Sequence, residues 1–213
     1  MSLSFLLYIG IIAACLNINY LNRLHLPPFF KYFNFLFIVV IVFEILGEIL
    51  KYYGLANYFL DHLYQPIELT ILSIIYKRAI RSYPFQKIII FIIVLFWFVS
   101  LYYSFNVEGV ENENKFSFFL GSFIVIFYSY RYIFELYTDP PAKGSLLNNP
   151  FFWIVTANLF YYYGIYFYMG LRNFITDESM RDKLKIINMS LNYALYILYL
   201  IGFSCRKIFK YTY

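Results

Sequence analysis

Charged side chains are scarce in this sequence. Asp, Glu, Lys and Arg together make up 14% of the 213 residues, whereas hydrophobic residues make up 62% and the mean hydropathy is +0.63. Soluble domains carry about 25% charged residues, and a water-soluble chain of this length cannot bury so much apolar surface. The composition therefore excludes a soluble domain and predicts an integral membrane protein whose apolar side chains face lipid.

Residues that support common site chemistries are also few. The two cysteines, Cys15 and Cys205, are too few for a zinc cluster and do not imply a disulfide framework. The two histidines, His25 and His62, are too few for an intramembrane zinc hydrolase. The range 188–205 contains no lysine that could form a retinal Schiff base.

Catalytic and nucleic-acid-binding motifs are missing as well. The chain has no His-Glu-x-x-His, no Gly-x-Ser-x-Gly and no Walker-type loop, and no basic-aromatic platform for nucleic acid. We therefore expect no enzymatic activity, no cofactor and no nucleic-acid partner.

Long apolar runs are abundant. Seven runs lie near the length of about 20 residues that crosses a bilayer, and they cover roughly 4–21, 33–53, 58–78, 87–105, 115–137, 151–172 and 186–206. Connectors with Pro, Gly, Asn and charged residues separate them, Gly54 and Asn57 break the second run from the third, and Pro150 suits the first turn of the sixth helix. The sequence predicts an all-α, polytopic transmembrane helical bundle, with residues 1–213 forming a single seven-helix domain.

The distribution of Lys and Arg predicts the orientation. With the N-terminus outside and the C-terminus in the cytoplasm, 11 of the 17 basic residues fall on the inner side. The other six lie outside, namely Lys51, Lys115, Arg172, Arg181, Lys183 and Lys185. This excess agrees with the positive-inside rule.

Ionisable residues within the second and third runs are candidate functional residues, because a charge inside a bilayer costs several kcal/mol. Glu44 and Glu48 lie one turn apart on one face of the second helix. The third helix carries Asp61, His62, Gln65 and Glu68. Since the two helices run in opposite directions, we expect Glu48 and Glu68 at similar depth in the outer half, with Glu44 nearer the midplane.

Pro66 lies between Gln65 and Glu68, and it predicts a structural kink because it frees the carbonyl of His62. Kinked helices beside intramembrane carboxylates often line cavities. The alternatives are a kink whose glutamates bond to neighbouring tyrosines, and a carboxylate-rich metal site formed by Glu44, Glu48, His62 and Glu68.

Amide and tyrosine side chains on the last two helices complete the candidate site. On the sixth helix Asn158, Tyr162 and Tyr166 share one face. The seventh helix carries Asn188 and Asn192 one turn apart, with Tyr196 and Tyr199 further in. We predict one outward-opening ligand-binding pocket, formed by Glu44, Glu48, Gln65, Glu68, Tyr162 and Asn192. Ordinary interhelical hydrogen bonding is the alternative.

Arg131 and Glu135 lie one turn apart near the inner end of the fifth helix. They predict an interfacial i, i+4 ion pair, with a cytoplasmic contact point as the alternative.

Three short segments carry a resemblance to a known group. They are Tyr64-Gln65-Pro66-Ile67-Glu68, Asn149-Pro150-Phe151-Phe152-Trp153-Ile154 and Asn192-Tyr193-x-Leu-Tyr196. Together they resemble small, largely uncharacterised seven-helix membrane proteins of Bacteroidetes, often encoded beside or fused to histidine kinases. The resemblance implies a multi-pass protein of the cell inner membrane that acts as a sensor or accessory module. The chain ends at Tyr213 without an output domain, so a signal would pass to a partner.

Three function classes follow. The leading hypothesis is a sensory or regulatory membrane protein with an outward-facing polar cavity and a cytoplasmic or membrane signalling partner. The second is an ion or small-solute transporter or channel, in which the intramembrane acids act as relay or coupling sites. The third is a membrane accessory protein of an anti-phage, CRISPR-associated locus. The expected partners include the lipid bilayer, and a second copy of the chain in a homo-oligomer is a further alternative.

Overall fold

The computed structural model describes residues 3–139, 146–174 and 178–208. Within these ranges the chain forms seven α-helices and no β-strand. The helices are α1 Leu3–Leu21, α2 Lys31–Tyr52, α3 Tyr58–Ala79, α4 Tyr83–Tyr103, α5 Lys115–Thr138, α6 Pro150–Phe174 and α7 Glu178–Ile208. A π-helical turn, Ser104–Glu108, follows α4, and 3-10 turns at Pro28–Phe30 and Leu146–Asn148 precede α2 and α6. The predicted all-α, seven-helix bundle is confirmed.

Two helix starts differ from the prediction. α4 begins at Tyr83, four residues early, because Pro84 occupies its first turn, where the missing N–H costs nothing. α7 begins at Glu178, where residue 186 was predicted, because its first residues are polar but good helix formers and hydropathy does not detect them. Thr176 and Asp177, which are residue types that often cap a helix N-terminus, lie outside the described residues. Gly54, with a φ of 70°, and Pro150 terminate and begin helices as predicted.

Five helical segments are long and apolar enough to cross a membrane, so the chain is a membrane protein. They are Ser4–Leu21, Pro28–Tyr52, Tyr83–Glu108, Lys115–Thr138 and Ile186–Cys205. Their outer faces expose large apolar side chains, such as Phe91 at 65% and Phe98 at 71% on α4, which suits contact with lipid. Of the helices described, α3 and α6 do not meet this criterion, because polar and tyrosine side chains lower their hydropathy.

Six helices form a closed ring, and α4 packs outside it against α3 and α5. α1 packs against α2 and α7, α3 packs against α2, α4 and α5, and α6 lies between α5 and α7. Successive helices alternate in direction, so the start of α1 and the α2–α3, α4–α5 and α6–α7 connections share one end. We call this the N-terminal end and the other the opposite end.

Aromatic side chains close the opposite end of the bundle. Five of them form the aromatic plug, which consists of Phe30, Phe33, Phe37, Phe151 and Phe203, each at most 2% exposed. Ring centroids of Phe30 and Phe203 are 5.8 Å apart, and those of Phe33 and Phe203 are 5.6 Å apart, in edge-to-face geometry. The plug joins the α1–α2 connection, α2, α6 and α7.

Small residues allow α6 and α7 to approach closely at this end. A Cβ atom on Gly202 would lie 3.0 Å from the Pro150 carbonyl oxygen and 3.2 Å from the Cβ of Trp153. Cys15 and Cys205 are buried in the packing and form no disulfide with each other, as expected of small apolar residues.

Candidate functional site

The register of the α2–α3 hairpin sets the depth of the acidic residues. The Phe43 and Tyr64 rings are 5.5 Å apart, and a Cβ on Gly47 would lie 3.4 Å from the Asn57 amide nitrogen. Glu44 therefore lies near the level of Tyr64, and Glu48 lies one turn closer to the N-terminal end.

Glu68 is deeper than both. It lies ten residues into α3, whereas Glu48 lies only four residues before the end of α2. At a rise of about 1.5 Å per residue, this difference of six residues places Glu68 about 9 Å deeper than Glu48. The prediction of similar depth for these two residues is wrong, although Glu44 does lie deeper than Glu48. The acids form a descending series from rim to floor.

A single cavity of about 470 Å³ opens at the N-terminal end. Its lining includes all six residues predicted to bind a ligand, namely Glu44, Glu48, Gln65, Glu68, Tyr162 and Asn192. An overlapping region of about 610 Å³ extends the cavity between α1 and α7, past Asn188 and Tyr193. The structure therefore brings the six residues together from four helices, and their role in ligand binding stays a prediction.

Glu68 forms the floor of the cavity. The Tyr162 hydroxyl donates to its Oε1 atom at 3.5 Å, and Tyr64, one turn earlier on α3, places its hydroxyl beside the same carboxyl group. Tyr162 is buried, whereas Glu68 keeps a small accessible surface that faces the cavity. Glu68 is thus held by tyrosines and still available to a ligand.

Glu44 forms part of the wall with a partner that the sequence analysis missed. The hydroxyl of Tyr8 in α1 donates to Glu44 Oε1 at 3.3 Å, and the Tyr8 ring packs edge-on against Tyr196, with centroids 5.7 Å apart. Tyr8 stands among apolar residues in its helix, and its distance of 36 residues from Glu44 gave no sequence signal. Tyr64 could have been recognised, because it lies one turn from Glu68.

The rim carries further acidic groups. Glu48, Asp61 and Glu113 line the cavity together with Lys51. Among the described residues, the Glu48 carboxylate makes no hydrogen bond or ion pair. The Asn114 side chain is 6% exposed, and its Nδ2 donates to the Asp61 carbonyl at 3.4 Å while its Oδ1 has no partner.

Some polar residues of α6 and α7 line the cavity, and others pack against neighbouring side chains. Asn192 lines the cavity and donates to the Asn188 carbonyl at 3.0 Å, with Tyr161 beside it. Tyr166 is half-exposed and packs on Phe119, with ring centroids 5.0 Å apart. Tyr166 therefore does not share the cavity with Tyr162, although both lie on one side of the helix.

Asn158 connects three helices below the cavity floor. Tyr199 of α7 donates to its Oδ1, and its Nδ2 donates to the Tyr76 hydroxyl of α3 at 2.9 Å. Tyr76 in turn hydrogen-bonds to Ser129 of α5. We call Tyr76, Ser129, Asn158 and Tyr199 the buried network. For Asn158 and Tyr199, ordinary interhelical hydrogen bonding is the observed role.

Pro66 lies inside α3 without breaking it. The helix continues from Tyr58 to Ala79, and the Thr70 hydroxyl donates to the Pro66 carbonyl at 2.7 Å. The Trp97 indole donates to Thr70 Oγ1 at 2.9 Å and so ties α4 to this part of α3. The predicted bend at Pro66 stays a prediction, and a broken helix is not observed.

His62 fastens the α4–α5 connection to α3 beside the rim. Its Nε2 lies 3.0 Å from the Asn112 carbonyl, and its Nδ1 lies 2.7 Å from the Ser104 hydroxyl in the π-helical turn. The Asn112 carbonyl can only accept, so Nε2 carries the proton and Nδ1 accepts from Ser104. His62 does not line the cavity with the glutamates, and this excludes it from the alternative metal site.

We expect His62→Ala to loosen this connection. The substitution leaves the buried Ser104 hydroxyl without its partner, which costs about 1 kcal/mol, whereas the carbonyl of the exposed Asn112 can bond to water instead. Amide hydrogen exchange over 109–114 should accelerate several-fold. Asn106→Ala is the control, because Asn106 is exposed and its amide bonds only to the Tyr102 carbonyl. Equal exchange in both variants would contradict the role given to His62.

Arg131 and Glu135 form the predicted ion pair, with Arg131 Nη2 3.0 Å from Glu135 Oε1. Glu135 has a second role that its spacing did not reveal. Its carboxylate accepts the backbone N–H groups of Arg81 at 2.9 Å and Ser82 at 3.2 Å. Glu135 therefore anchors the α3–α4 connection at the opposite end.

Metal ligation finds no support in the geometry. In the part of the chain that the structure describes, no group of three or more His, Cys, Asp and Glu side chains is close enough to hold a metal ion. No family model, curated protein or solved structure matches the chain. Function is therefore argued from the cavity and the contacts around it.

Proposed function

We propose that this protein is a membrane sensor that binds a small polar ligand in the cavity and passes the change to a partner at the opposite end. In this proposal all seven helices cross the membrane. α3 and α6 are 22 and 25 residues long, enough to span, and their side chains Gln65, Glu68 and Asn158 face the cavity or the packing. The Lys and Arg distribution turns the cavity outward, in the inner membrane of a bacterium.

The observation that carries the proposal is a polar cavity that opens at the N-terminal end of the bundle. Six polar residues converge from four helices at the N-terminal end, while the aromatic plug closes the bundle below them. A concave site with a few convergent polar groups is the usual form of a small-molecule site. Because the described cavity ends at Glu68 and Tyr162, it suits retention of a ligand better than passage of one.

The cavity floor is linked to helices that reach the opposite end. Tyr162 contacts Glu68 at the floor, and Asn158 lies one turn below Tyr162 on the same face of α6. Asn158 then joins α6 to α3 and α7 through the buried network. A ligand that draws Tyr162 from Glu68 would shift α6 against these helices, and binding would favour the shifted arrangement.

The opposite end offers a contact surface for the partner. Arg81 pairs with Asp139, both with more than half of the side chain exposed, and Glu135 holds the backbone of the same connection. Movement of α3 against α5 would alter these charged groups directly. We propose that the signalling partner contacts this surface.

A covalent occupant of the cavity tests the coupling. Cys15→Ala and Cys205→Ala first remove the two native thiols. Gln65→Cys then places the only thiol in the cavity, and benzyl methanethiosulfonate reacts with this thiol and leaves a benzylthio group in the cavity. We expect modification to change amide hydrogen exchange around Arg81 and Glu135 at the opposite end, by several-fold. The reason is that the attached group competes for the space beside Glu68 and Tyr162.

The matched control is Asn106→Cys in the same background, modified with the same reagent. Its thiol lies on the exposed π-helical turn outside the cavity. Changes confined to cavity-lining segments, or equal changes in both modified proteins, would contradict a sensor that signals across the bundle.

Transport is the second candidate, and one observation favours it. Polar groups continue below the cavity floor through Asn158, Tyr76 and Ser129, toward the opposite end. Flux of a solute or of protons into proteoliposomes that vanishes in Glu68→Gln would support transport. Absence of flux under every gradient applied would leave the sensor as the better function.

A further inference from the structure

The lining of the cavity has an excess of carboxyl groups. Glu44, Glu48, Asp61 and Glu68 line it from rim to floor, and Lys51 is the one basic residue among the described lining residues. Lys51 forms no ion pair with the cavity acids within 4.0 Å. The cavity therefore favours a ligand of positive charge over a neutral or negative one.

Acceptors without donors point to the same class of ligand. Asn114 is 94% buried at the cavity wall, and its Oδ1 atom has no hydrogen-bond partner. Glu48 likewise makes no hydrogen bond in the part of the chain that is described. A buried acceptor without a partner is costly, so native structures nearly always satisfy such groups. An ammonium group supplies three donors and no acceptor, and it matches this set.

Aromatic rings surround the acids and suit an organic cation. Tyr8, Tyr64 and Tyr162 place their hydroxyl groups at the carboxyl groups of Glu44 and Glu68, and Phe43 and Phe118 add apolar wall. Aromatic faces attract cations, and such cages recognise alkylated ammonium groups. A volume of about 470 Å³ is far larger than a metal ion needs and lies in the range for small molecules.

We infer that the ligand is a small organic cation whose ammonium group lies between Glu44 and Glu68, with an apolar body against Phe43 and Phe118. The inference rests on the proposed function and names the ligand class of that site. The ammonium group belongs either to a free amine or to the headgroup of an aminophospholipid, since both present the same chemistry to the carboxylates.

Probes that share a phenyl ring and differ in charge test the inference. Phenethylamine and phenethyltrimethylammonium are cations, phenethyl alcohol is neutral and phenylacetate is an anion. Thermal unfolding of the purified full chain in non-ionic detergent is measured with each probe at one common concentration. We expect phenethylamine to raise the midpoint of unfolding most, phenethyltrimethylammonium to raise it less because it has charge but no N–H donor, and the alcohol and the acid to leave it unchanged. Equal stabilisation by the alcohol or the acid, or no stabilisation by any probe, would overturn the inference.

Charge-neutralising variants locate the cation. Glu68→Gln and Glu44→Gln should each weaken phenethylamine binding by about tenfold or more, because one ion contact is lost. Glu111→Gln removes the same charge on the exposed α4–α5 connection and should have no effect. If Glu68→Gln does not fold, the affinity of Glu44→Gln for phenethylamine still tests the position of the ammonium group. Unchanged binding in Glu44→Gln would exclude the proposed position of the ammonium group.

Lipid competition separates the two sources of the ammonium group. Phosphatidylethanolamine should displace phenethylamine if the natural ligand is a lipid, whereas phosphatidylglycerol should not. If neither lipid displaces the probe, a free amine is the ligand. The experiments also distinguish a wrong ligand class from a wrong assignment of the sensor function. Binding of phenylacetate with changed exchange at Arg81 would overturn the ligand class alone, and amine binding without such changes would overturn signalling alone.

Discussion

Gly202→Val should be the most destabilising of the single substitutions considered. The Gly202 Cβ position lies 3.0 Å from the Pro150 carbonyl oxygen and 3.2 Å from both Ile154 Cδ1 and Trp153 Cβ. A carbonyl at the start of a helix cannot turn away as a flexible side chain can. The two further methyl groups of valine would force α6 and α7 apart, and overpacking of this kind costs about 1–3 kcal/mol. We expect the upper end of that range.

Thermal unfolding in detergent measures this effect, with Gly10→Val as the matched control. Gly10 also lies within a helix, and a Cβ there would meet no atom within 4 Å. Gly10→Val should unfold at nearly the temperature of the parent protein. Similar destabilisation in both variants would mean that helix propensity, and not the close approach of α6 and α7, determines the result.

Asn158→Leu should give the second largest effect. Asn158 is 1% exposed, and it accepts from Tyr199 and donates to Tyr76. Leucine has a similar volume, so the substitution removes hydrogen bonds without opening a large cavity. Tyr199 loses its acceptor inside a low-dielectric core, which costs about 1–3 kcal/mol. We expect a loss near 2 kcal/mol, because Tyr76 keeps its bond to Ser129.

A double-mutant cycle separates the network from packing. Tyr199→Phe removes one hydroxyl from the network, and combining it with Asn158→Leu should add little further loss. Tyr163→Phe is the control, because its hydroxyl bonds to Tyr130 on the exposed surface at 3.0 Å. If the losses of unfolding free energy in Asn158→Leu and Tyr199→Phe simply add in the double variant, the two side chains do not stabilise the bundle through a shared interaction.

The helices were predictable because each apolar run satisfies its own backbone hydrogen bonds. Prediction was weakest where a helix is polar, as at Glu178 in α7, since hydropathy reports lipid contact and not helicity. Neighbours within one helix were also predictable, such as Glu44 with Glu48 and Asn188 with Asn192, because a turn of 3.6 residues fixes their common face.

Contacts between helices were only partly predictable. The six candidate residues do meet in one cavity, because buried polar groups in a bundle have few other places to go. The prediction that Glu68 and Glu48 lie at similar depth was wrong, because their relative depth depends on where the α2–α3 hairpin turns. Tyr8 and Asn114 were missed for a similar reason. Their contacts depend on the rotation of α1 and on the path of the α4–α5 connection, which no local pattern encodes.

Closure of the ring by α1 and α7 has a consequence for biosynthesis. Tyr8 contributes to the cavity from α1, whereas Asn192 and Tyr196 contribute from α7. During translation α1 to α6 are therefore synthesised before the wall is complete, and Glu44 and Glu68 then lack the part of their surroundings that α7 supplies. Glu44 and Glu68 therefore reach their final surroundings only when α7, the last helix to be made, has packed against α1.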